Sequence, residues 1–353
     1  MDATLYQQDV VLERRIQASE QDHRERSRLF LQLEHDGVVG YGEVAPQSYR
    51  LNGDPGIGEV RDAVGAALVQ LEEIALREGA LPLWSRVARL GNETPPRRVA
   101  SALVEMAILD RELRAHSLRI EDLWPPHYDT PSQSTVSLLD ETTPWHIDFA
   151  ASRVRVKTAP GSLGTSALER LAGLRVPVLL DFNCSANNDD EVLAQVEQAR
   201  RVCVVAAVEQ PYAVGNVVDH ARLATRLDVD VSLDEGVRSV HDVAQIVRYH
   251  AATVLCVKPA RVGGLANART IIERARSLGL TVYLGGFFES PYARHVHRAL
   301  ARSTIDQPSD IGVVDLVNVD DEVSPVSTSF GFEPSASLLE RATALTVVRT
   351  GEP

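Results

Sequence analysis

Five ionisable residues that end successive apolar runs are the part of the sequence best suited to chemistry. Three are acids, Asp181, Glu209 and Asp234, and two lysines, Lys157 and Lys258, flank them in the chain. Carboxylates that meet in one pocket repel each other unless a cation holds them together. Oxygen ligands favour magnesium, or manganese, over zinc. The set therefore predicts a divalent-metal site with acid/base chemistry.

The two lysines suit the role of bases on opposite faces of a bound small-molecule carboxylate. A lysine near a metal ion and a second cation loses its proton more easily, and Arg155, on the same strand face as Lys157, is a candidate for that cation. A metal that binds the carboxylate would stabilise the enolate formed when the adjacent C–H group is deprotonated. The alternative for a lysine at a strand end is a salt bridge, and for a single acid it is helix capping.

Short β-branched runs alternate with helical stretches from residue 136 onward, which indicates βα units around a parallel sheet. From Lys157 to Gly286 the run ends recur every 24 to 28 residues. A barrel allots roughly 30 residues to each unit, so this spacing favours a barrel, closed by a weak strand near residues 311–314. The carboxyl ends of barrel strands open onto one face, so the five ionisable residues are expected to converge there.

The first 130 residues predict a separate α+β module. Polar and apolar residues alternate from Leu29 to Val44, and Asp36-Gly37 supplies a hairpin turn. Helical spacing follows at residues 59–78 and 97–116. We therefore expect a capping module at 1–130, a barrel at 131–315, and a C-terminal segment, 316–353, that returns to complete the module.

Composition excludes several classes of protein. The chain has 353 residues, a net charge of -13, 44% hydrophobic and 24% charged residues, which is typical of a globular protein. The negative charge argues against nucleic-acid binding, and no apolar run is long enough for a membrane span, so a cytoplasmic location is expected. Cys184, Cys203 and Cys256 lack metal-ligand spacing and are expected to be buried, reduced thiols.

Seven motifs together resemble the enolase superfamily, in its muconate-lactonizing subgroup. They are GYGEVAP at 40–46, RVK ending at Lys157, DFN from Asp181, VEQP around Glu209, LDEG around Asp234, VKPARVGG around Lys258, and GGFFES from Gly285. The resemblance implies an α/β fold, a (β/α)7β modified TIM barrel with an N-terminal α+β capping domain.

The resemblance also implies a role for each matching residue. Asp181, Glu209 and Asp234 would bind Mg2+, with Mn2+ as an alternative, and Glu235 and Asn183 would support this metal shell. Lys157 would be the general base, with Lys258 on the opposite face. The expected substrate-binding residues are Arg155, Asn183, Gly286, Phe287, Glu289 and Tyr49.

Within the subgroup the chain is most similar to the o-succinylbenzoate synthases. This implies dehydration of a cyclohexadiene carboxylate in menaquinone biosynthesis. N-acylamino-acid racemisation and muconate-type cycloisomerisation are alternatives at the same site, and a non-catalytic binding barrel is an alternative of another class. Arg155 replaces a lysine common in the family, and GGFFES replaces the Asp-x-Asp of dipeptide epimerases, which disfavours an α-ammonium substrate. Phe287 and Phe288 suit an apolar substrate or core packing.

Overall fold

A computed structural model describes residues 1–18, 21–87, 94–142, 144–147, 150–311 and 323–349, and only the backbone of 12–18, 21–24 and 346–349. The strands are β1 (Asp2–Ala18), β2 (Gln21–His35), β3 (Val38–Val44), β4 (Ser132–Ser137), β5 (Ala151–Lys157), β6 (Val178–Asp181), β7 (Val205–Glu209), β8 (Asp230–Leu233), β9 (Val254–Val257), β10 (Thr281–Leu284), β11 (Val323–Pro325), β12 (Phe332–Pro334) and β13 (Thr343–Arg349). The helices are α1 (Ile57–Glu78), α2 (Trp84–Val87), α3 (Pro95–Ala115), α4 (Ile120–Leu123), α5 (Thr165–Ala172), α6 (Asp189–Arg200), α7 (Val217–Ala224), α8 (Val240–Tyr249), α9 (Pro259–Val262), α10 (Leu265–Ser277), α11 (Pro291–Thr304) and α12 (Ala336–Arg341).

The N-terminal module is an antiparallel sheet covered by two long helices. Its strand order is β13-β1-β2-β3, and the predicted Asp36-Gly37 turn joins β2 to β3. Both turn residues have positive φ, 53° and 71°, as a two-residue hairpin requires. Helices α1 and α3 pack on the sheet through a shared apolar cluster. Gly42 permits this approach, because a Cβ there would lie 2.2 Å from the Leu103 carbonyl oxygen.

The larger unit is a parallel sheet with strand order β4 to β10 and helices packed on its outer face. Residues just after α11 join its two edges: Gln133 N donates to Ser309 O at 3.1 Å, and Asp310 N donates to Leu284 O at 2.8 Å. The architecture is the predicted (β/α)7β barrel with an N-terminal α+β cap. The predicted closing strand at 311–314 lies mostly outside the described residues.

The barrel interior holds a small apolar layer beneath the strand ends. Its members are Leu179, Ala207, Val254, Cys256 and Tyr283, all from β6, β7, β9 and β10. Side chains alternate along a strand, so the residue two positions beyond an inward-facing residue also faces inward. Asp181 and Glu209 stand in that relation to Leu179 and Ala207, which directs both carboxylates into the mouth of the barrel.

Several details differ from the sequence-based expectations. Strand β4 begins at Ser132, before the predicted apolar run, and β1 and β13 were not predicted as strands. Cys184 and Cys203 are only partly buried, whereas Cys256 is buried, and all three are free. The domain boundaries near 130 and 315 remain a prediction. No helix in the described ranges is long and apolar enough to cross a membrane.

Candidate metal and acid-base site

The five predicted residues lie at one edge of the barrel sheet. Lys157, Asp181 and Glu209 are the last residues of β5, β6 and β7, and Asp234 and Lys258 directly follow β8 and β9. Lys157 is paired with Asp181, and Asp181 with Glu209, across neighbouring parallel strands. The structure therefore brings all five to the face where barrel enzymes carry their active sites.

A single guanidinium nitrogen joins the three carboxylates. Arg155 Nη2 lies 2.8 Å from Asp181 Oδ2 and 3.2 Å from Asp234 Oδ2, and it also bonds to Glu209 Oε1. The three acids have 0% exposed area, and Arg155 has 2%. The side chain that sequence reasoning assigned to the substrate thus lies among the predicted metal ligands.

The two lysines bind opposite ends of this acidic row. Lys157 Nζ donates to Asp181 Oδ2 at 2.5 Å and to Asn183 Oδ1 at 2.9 Å. Lys258 Nζ donates to Asp234 Oδ2 at 2.8 Å. Because β6, β7 and β8 separate the strands that carry the lysines, the two ammonium groups flank the carboxylates. Both side chains are largely buried, at 9% and 6% exposed.

Burial and charge act in opposite directions on these acids. Burial favours the neutral form of Asp181, but Arg155 and Lys157 outweigh it and lower its pKa. Burial likewise opposes Arg261 and Lys258 at Asp234, whose pKa falls well below its usual range. At Glu209 burial prevails and raises the pKa to about 8. Neighbouring cations therefore stabilise the ionised forms of Asp181 and Asp234, whereas at Glu209 they do not offset the effect of burial.

Lys258 differs from the expectation that its proton would be easily lost. Burial lowers its pKa, but the attraction of Asp234 is stronger, so the pKa is raised. Before any ligand binds, Lys258 is therefore an ammonium group paired to a carboxylate. In this state it holds its proton and cannot act as a base.

A layer of hydrogen bonds supports the acids from outside. Asn183 Nδ2 donates to Glu235 Oε1 at 3.2 Å, as does Asn52 Nδ2 at 3.4 Å. Arg261 Nη1 donates to Asp234 Oδ1 at 2.5 Å, and its other nitrogens bond to both oxygens of Asp54. The predicted supporting residues, Asn183 and Glu235, thus lie next to the acids, and residues of the N-terminal module join them.

The GGFFES loop after β10 forms one wall of this region. The centre of the Phe287 ring lies 4.6 Å from Lys258 Nζ, and the residue is also part of the apolar cluster under α3, so core packing is one of its roles and substrate contact remains a prediction. Glu289 Oε2 accepts from Phe287 N at 2.7 Å and lies against Gly286, so this carboxylate organises the loop itself. Tyr49 is 50% exposed and stands farther out.

The donor set suits a hard divalent cation. Oxygens of Asp181, Glu209 and Asp234 all approach one nitrogen, and the buried Glu235 Oε2 has no hydrogen-bond partner within the described ranges. Ligand atoms of Glu209, Asp234 and Cys256 lie within 4.8 Å of one another. Burial raises the pKa of the Cys256 thiol far above its usual range, and a neutral thiol is a poor ligand for such an ion. The chemistry of these donors therefore favours the carboxylates over the thiol, and the ligand set of Asp181, Glu209 and Asp234 remains a prediction.

Sequence reasoning missed several contributors. Tyr283 OH donates to Glu209 Oε2, Asp310 Oδ2 lies 3.4 Å from Arg155 Nη1, and Gln210 Oε1 accepts from the backbone N–H of Asp234 at 3.1 Å. Tyr283 could have been recognised, because it lies two residues before the GGFFES loop on a buried strand. Asp310 carries no such signal, because its position depends on how the barrel closes.

Comparisons with known proteins agree with this arrangement. Residues 164–325 match the family described as enolase C-terminal domain-like. The chain is 28% identical over 248 residues to an N-succinylamino acid racemase of Amycolatopsis, which covers 67% of this chain and 66% of that protein. It is 25% identical over 311 residues to an o-succinylbenzoate synthase of Listeria innocua, covering 83% of this chain and 79% of that protein.

A solved structure extends the likeness to the whole fold. An enolase-superfamily protein of Listeria innocua has a TM-score of 0.82 at 20% identity, covering 98% of this chain and 97% of that one. At this identity the likeness concerns the fold. Together with the family match over residues 164–325 and the relatives, it makes the chain similar to proteins of the enolase superfamily.

Proposed function

We propose that this protein catalyses magnesium-dependent removal of the proton next to a substrate carboxylate, and that the overall reaction is dehydration to o-succinylbenzoate in menaquinone biosynthesis. The observation that carries the proposal is the pair of buried lysines, Lys157 and Lys258, on either side of three buried carboxylates. The o-succinylbenzoate synthase relative, matched over 79% of its length, supports the named reaction.

The acids and the lysines would have different roles: the acids would bind the metal ion, and Lys157 would transfer the proton. Asp181, Glu209 and Asp234 would hold the ion, which when bound would offset the charge that develops on the substrate carboxylate. Lys157 would take the proton, a role that the family resemblance implies, and Asp181 and Asn183 fix the position of its Nζ. The same lysine can return that proton to the departing hydroxide, so dehydration needs only one acid/base group. Lys258, paired to Asp234, would then provide positive charge on the other face.

The N-terminal module adds a cation on the substrate side. Arg26 is 3% exposed, its guanidinium lies 4.4 Å from the centre of the Phe288 ring, and Phe288 adjoins the phenylalanine that contacts Lys258. Arg26 Nη1 bonds to Gln47 Oε1 at 2.5 Å, whereas its buried Nε has no hydrogen-bond partner among the described residues. Among the described residues Arg26 has no acid at salt-bridge distance, although Glu289 attracts it from farther away, and a buried guanidinium in this setting favours an anionic ligand. This supports a substrate with a second carboxylate, as a succinyl group would supply.

Racemisation of an N-succinylamino acid is a second candidate, and the presence of a lysine on each side of the carboxylates supports it. Racemisation needs a base on one face of the substrate and an acid on the other. Lys258, which is paired to Asp234 as an ammonium group, would supply that acid. The N-succinylamino acid racemase relative supports this alternative.

Two assays with purified protein and Mg2+ test the proposal. The first follows conversion of the cyclohexadiene carboxylate precursor to aromatic o-succinylbenzoate by absorbance. The second follows exchange of the α-hydrogen of N-succinyl amino acids in heavy water by NMR. Conversion of the precursor supports dehydration, whereas exchange alone supports racemisation. If neither substrate reacts, the proposal of proton abstraction fails.

The lysine variants separate the two reactions. Replacing Lys258 with methionine should abolish racemisation yet still allow α-hydrogen exchange of one enantiomer, because Lys157 remains on its own face. Replacing Lys157 with methionine should reduce dehydration by roughly a hundredfold to ten-thousandfold. Equal loss of every reaction in both variants would contradict the division of roles.

A further inference from the structure

The position of Arg155 is the feature of the site that the proposed function does not explain. Sequence reasoning placed it with the substrate, where the family often has lysine. In the structure its Nη2 atom instead contacts one carboxylate from each of β6 and β7 and the carboxylate just after β8. A single nitrogen atom thus contacts all three buried acids.

We propose that Arg155 is an internal counter-ion that occupies the metal position in the metal-free protein, and that a divalent cation must displace it to bind. This inference rests on the proposed magnesium site. It makes Arg155 a positioning residue that competes with the ion for the same oxygens.

The distances require this competition. Mg2+ binds oxygen at about 2.0 to 2.1 Å and demands near-octahedral geometry. Arg155 Nη2 is within 3.2 Å of oxygens from Asp181 and Asp234 and closer still to Glu209. An ion that touched all three acids would therefore overlap the guanidinium group. The two positive charges would also repel each other in a buried site.

The structure also provides a second partner for the displaced side chain. Asp310 Oδ2 lies 3.4 Å from Arg155 Nη1 and accepts from Thr135 Oγ1 at 3.0 Å. It is not one of the three expected ligands. The guanidinium can therefore turn away from the metal ligands and keep one ion pair. Arg155 Nε, which is buried and has no hydrogen-bond partner in the described part of the chain, places little hindrance on such a turn.

A lysine at this position would compete less well. Its ammonium group is a single point at the end of a flexible stem, whereas the planar guanidinium presents several N–H donors that can hold two or more acids at once. The exchange of lysine for arginine should thus stabilise the metal-free site and weaken apparent metal binding. When a competing state dominates, the apparent dissociation constant rises by the inverse of the competent fraction.

Calorimetric titration of the metal-free protein with MnCl2 tests this competition, with thermal unfolding measured in parallel. Replacing Arg155 with methionine should tighten Mn2+ binding by about tenfold or more, as expected if the arginine holds the site in at least nine-tenths of the molecules. The same variant should unfold at a lower temperature without metal. The proposal therefore predicts that Arg155→Met raises Mn2+ affinity and lowers the unfolding temperature. Removal of an arginine that had only a structural role would lower both the affinity and the unfolding temperature.

Arg153→Met is the matched control. Arg153 is on the same strand and is similarly buried, but it bonds to Gln133 and the Pro308 carbonyl rather than to the acids. It should leave Mn2+ affinity unchanged. If Arg155→Met does not fold, Arg155→Lys provides the second measurement, with tighter binding again expected.

Asp310→Asn probes the second partner. It should weaken Mn2+ binding to the natural protein, because the displaced Arg155 guanidinium would lose its ion pair with residue 310. It should not weaken binding to the Arg155→Met variant, which has no guanidinium at this position. Unchanged or weaker binding in both Arg155 variants would overturn the competition and leave the metal site standing. Absence of Mn2+ binding in every variant and in the natural protein would overturn the metal site as well.

Discussion

Replacing Glu105 should reveal how strongly the N-terminal module holds the segment that carries Lys258. Glu105 is on α3 and is completely buried. Its carboxylate accepts from Leu265 N at 2.5 Å and from Ala266 N at 2.9 Å, the first two residues of α10. These N–H groups have no partner within their own helix. One carboxylate thus anchors the helix that begins seven residues after Lys258.

The two hydrogen bonds set the size of the expected effect. A buried donor left without a partner costs about 1 to 3 kcal/mol. Glu105→Ala strands both N–H groups, so it should lower the free energy of unfolding by roughly 2 to 6 kcal/mol, toward the lower end if water enters the cavity. Glu105→Gln keeps one carbonyl acceptor but turns an NH2 group toward the other donor. Its cost should be about 1 to 3 kcal/mol.

The effect of Glu105→Gln should depend on pH. Burial raises the pKa of Glu105 from 4.5 to about 8, against the influence of its two backbone partners. The folded protein therefore binds a proton that the unfolded chain releases. This stabilisation is complete below pH 4.5 and is lost as pH rises through 8, at up to roughly 1.4 kcal/mol per pH unit. Glutamine does not titrate, so the deficit of the variant should shrink between pH 5.5 and 7.5.

Urea unfolding at several pH values, followed by circular dichroism, measures these differences. Hydrogen exchange at Leu265 and Ala266 should also accelerate locally. Glu112→Gln is the matched control, because Glu112 is on the same helix, is half-buried and accepts only a weak bond from Trp84 N at 3.3 Å. If the two glutamine variants lose the same stability, Glu105 is not an anchor. A deficit that stays constant from pH 5.5 to 7.5 would show that the carboxylate is ionised throughout and that the reasoning on burial is wrong.

Three further substitutions have distinct expected results. Lys157→Met should reduce turnover by roughly a hundredfold to ten-thousandfold while Mn2+ affinity by calorimetry stays within a few-fold, and retained turnover would remove Lys157 from the reaction. Gly264→Ala should lower the midpoint of urea unfolding strongly, because φ is +124° and the new Cβ would lie 1.9 Å from Glu105 Oε2; an unchanged midpoint would contradict this close approach. Arg26→Gln should raise KM for the dicarboxylate precursor by about tenfold with little change in kcat, and an equal rise for an analogue without the second carboxylate would exclude the proposed contact.

The barrel and its acidic edge could be predicted from sequence because they depend on local patterns. A strand ends where its apolar run stops, and Asp181 and Glu209 are the residues at which β6 and β7 end. Parallel strands then bring successive ends together without further information. Strand β13 could not be found this way, because a seven-residue segment becomes a strand here by pairing with β1, far away in the chain.

The positions of individual charged side chains were harder to predict. The destination of Arg155 depends on three strands that converge only in the folded barrel, so its sequence neighbours gave no sign of it. Arg26 is in β2, where no sequence motif marks it, and its contact with Phe288 joins residues 262 positions apart. Glu105 did offer a signal, because an acid on the apolar face of an amphipathic helix requires a buried partner.

The N-terminal module contributes three acids that each hold a different part of the barrel mouth. Asp54 binds Arg261, which in turn bonds to Asp234, while Glu105 anchors α10 and Glu43 accepts from Ser290 N at 2.6 Å at the start of α11. The segments that carry Lys258 and GGFFES are therefore both fixed from the same side. A module that only covered the substrate would not need buried carboxylates directed into the barrel. These contacts indicate that the module also sets the geometry of the acidic site, so a change in its packing should alter metal affinity as well as substrate choice.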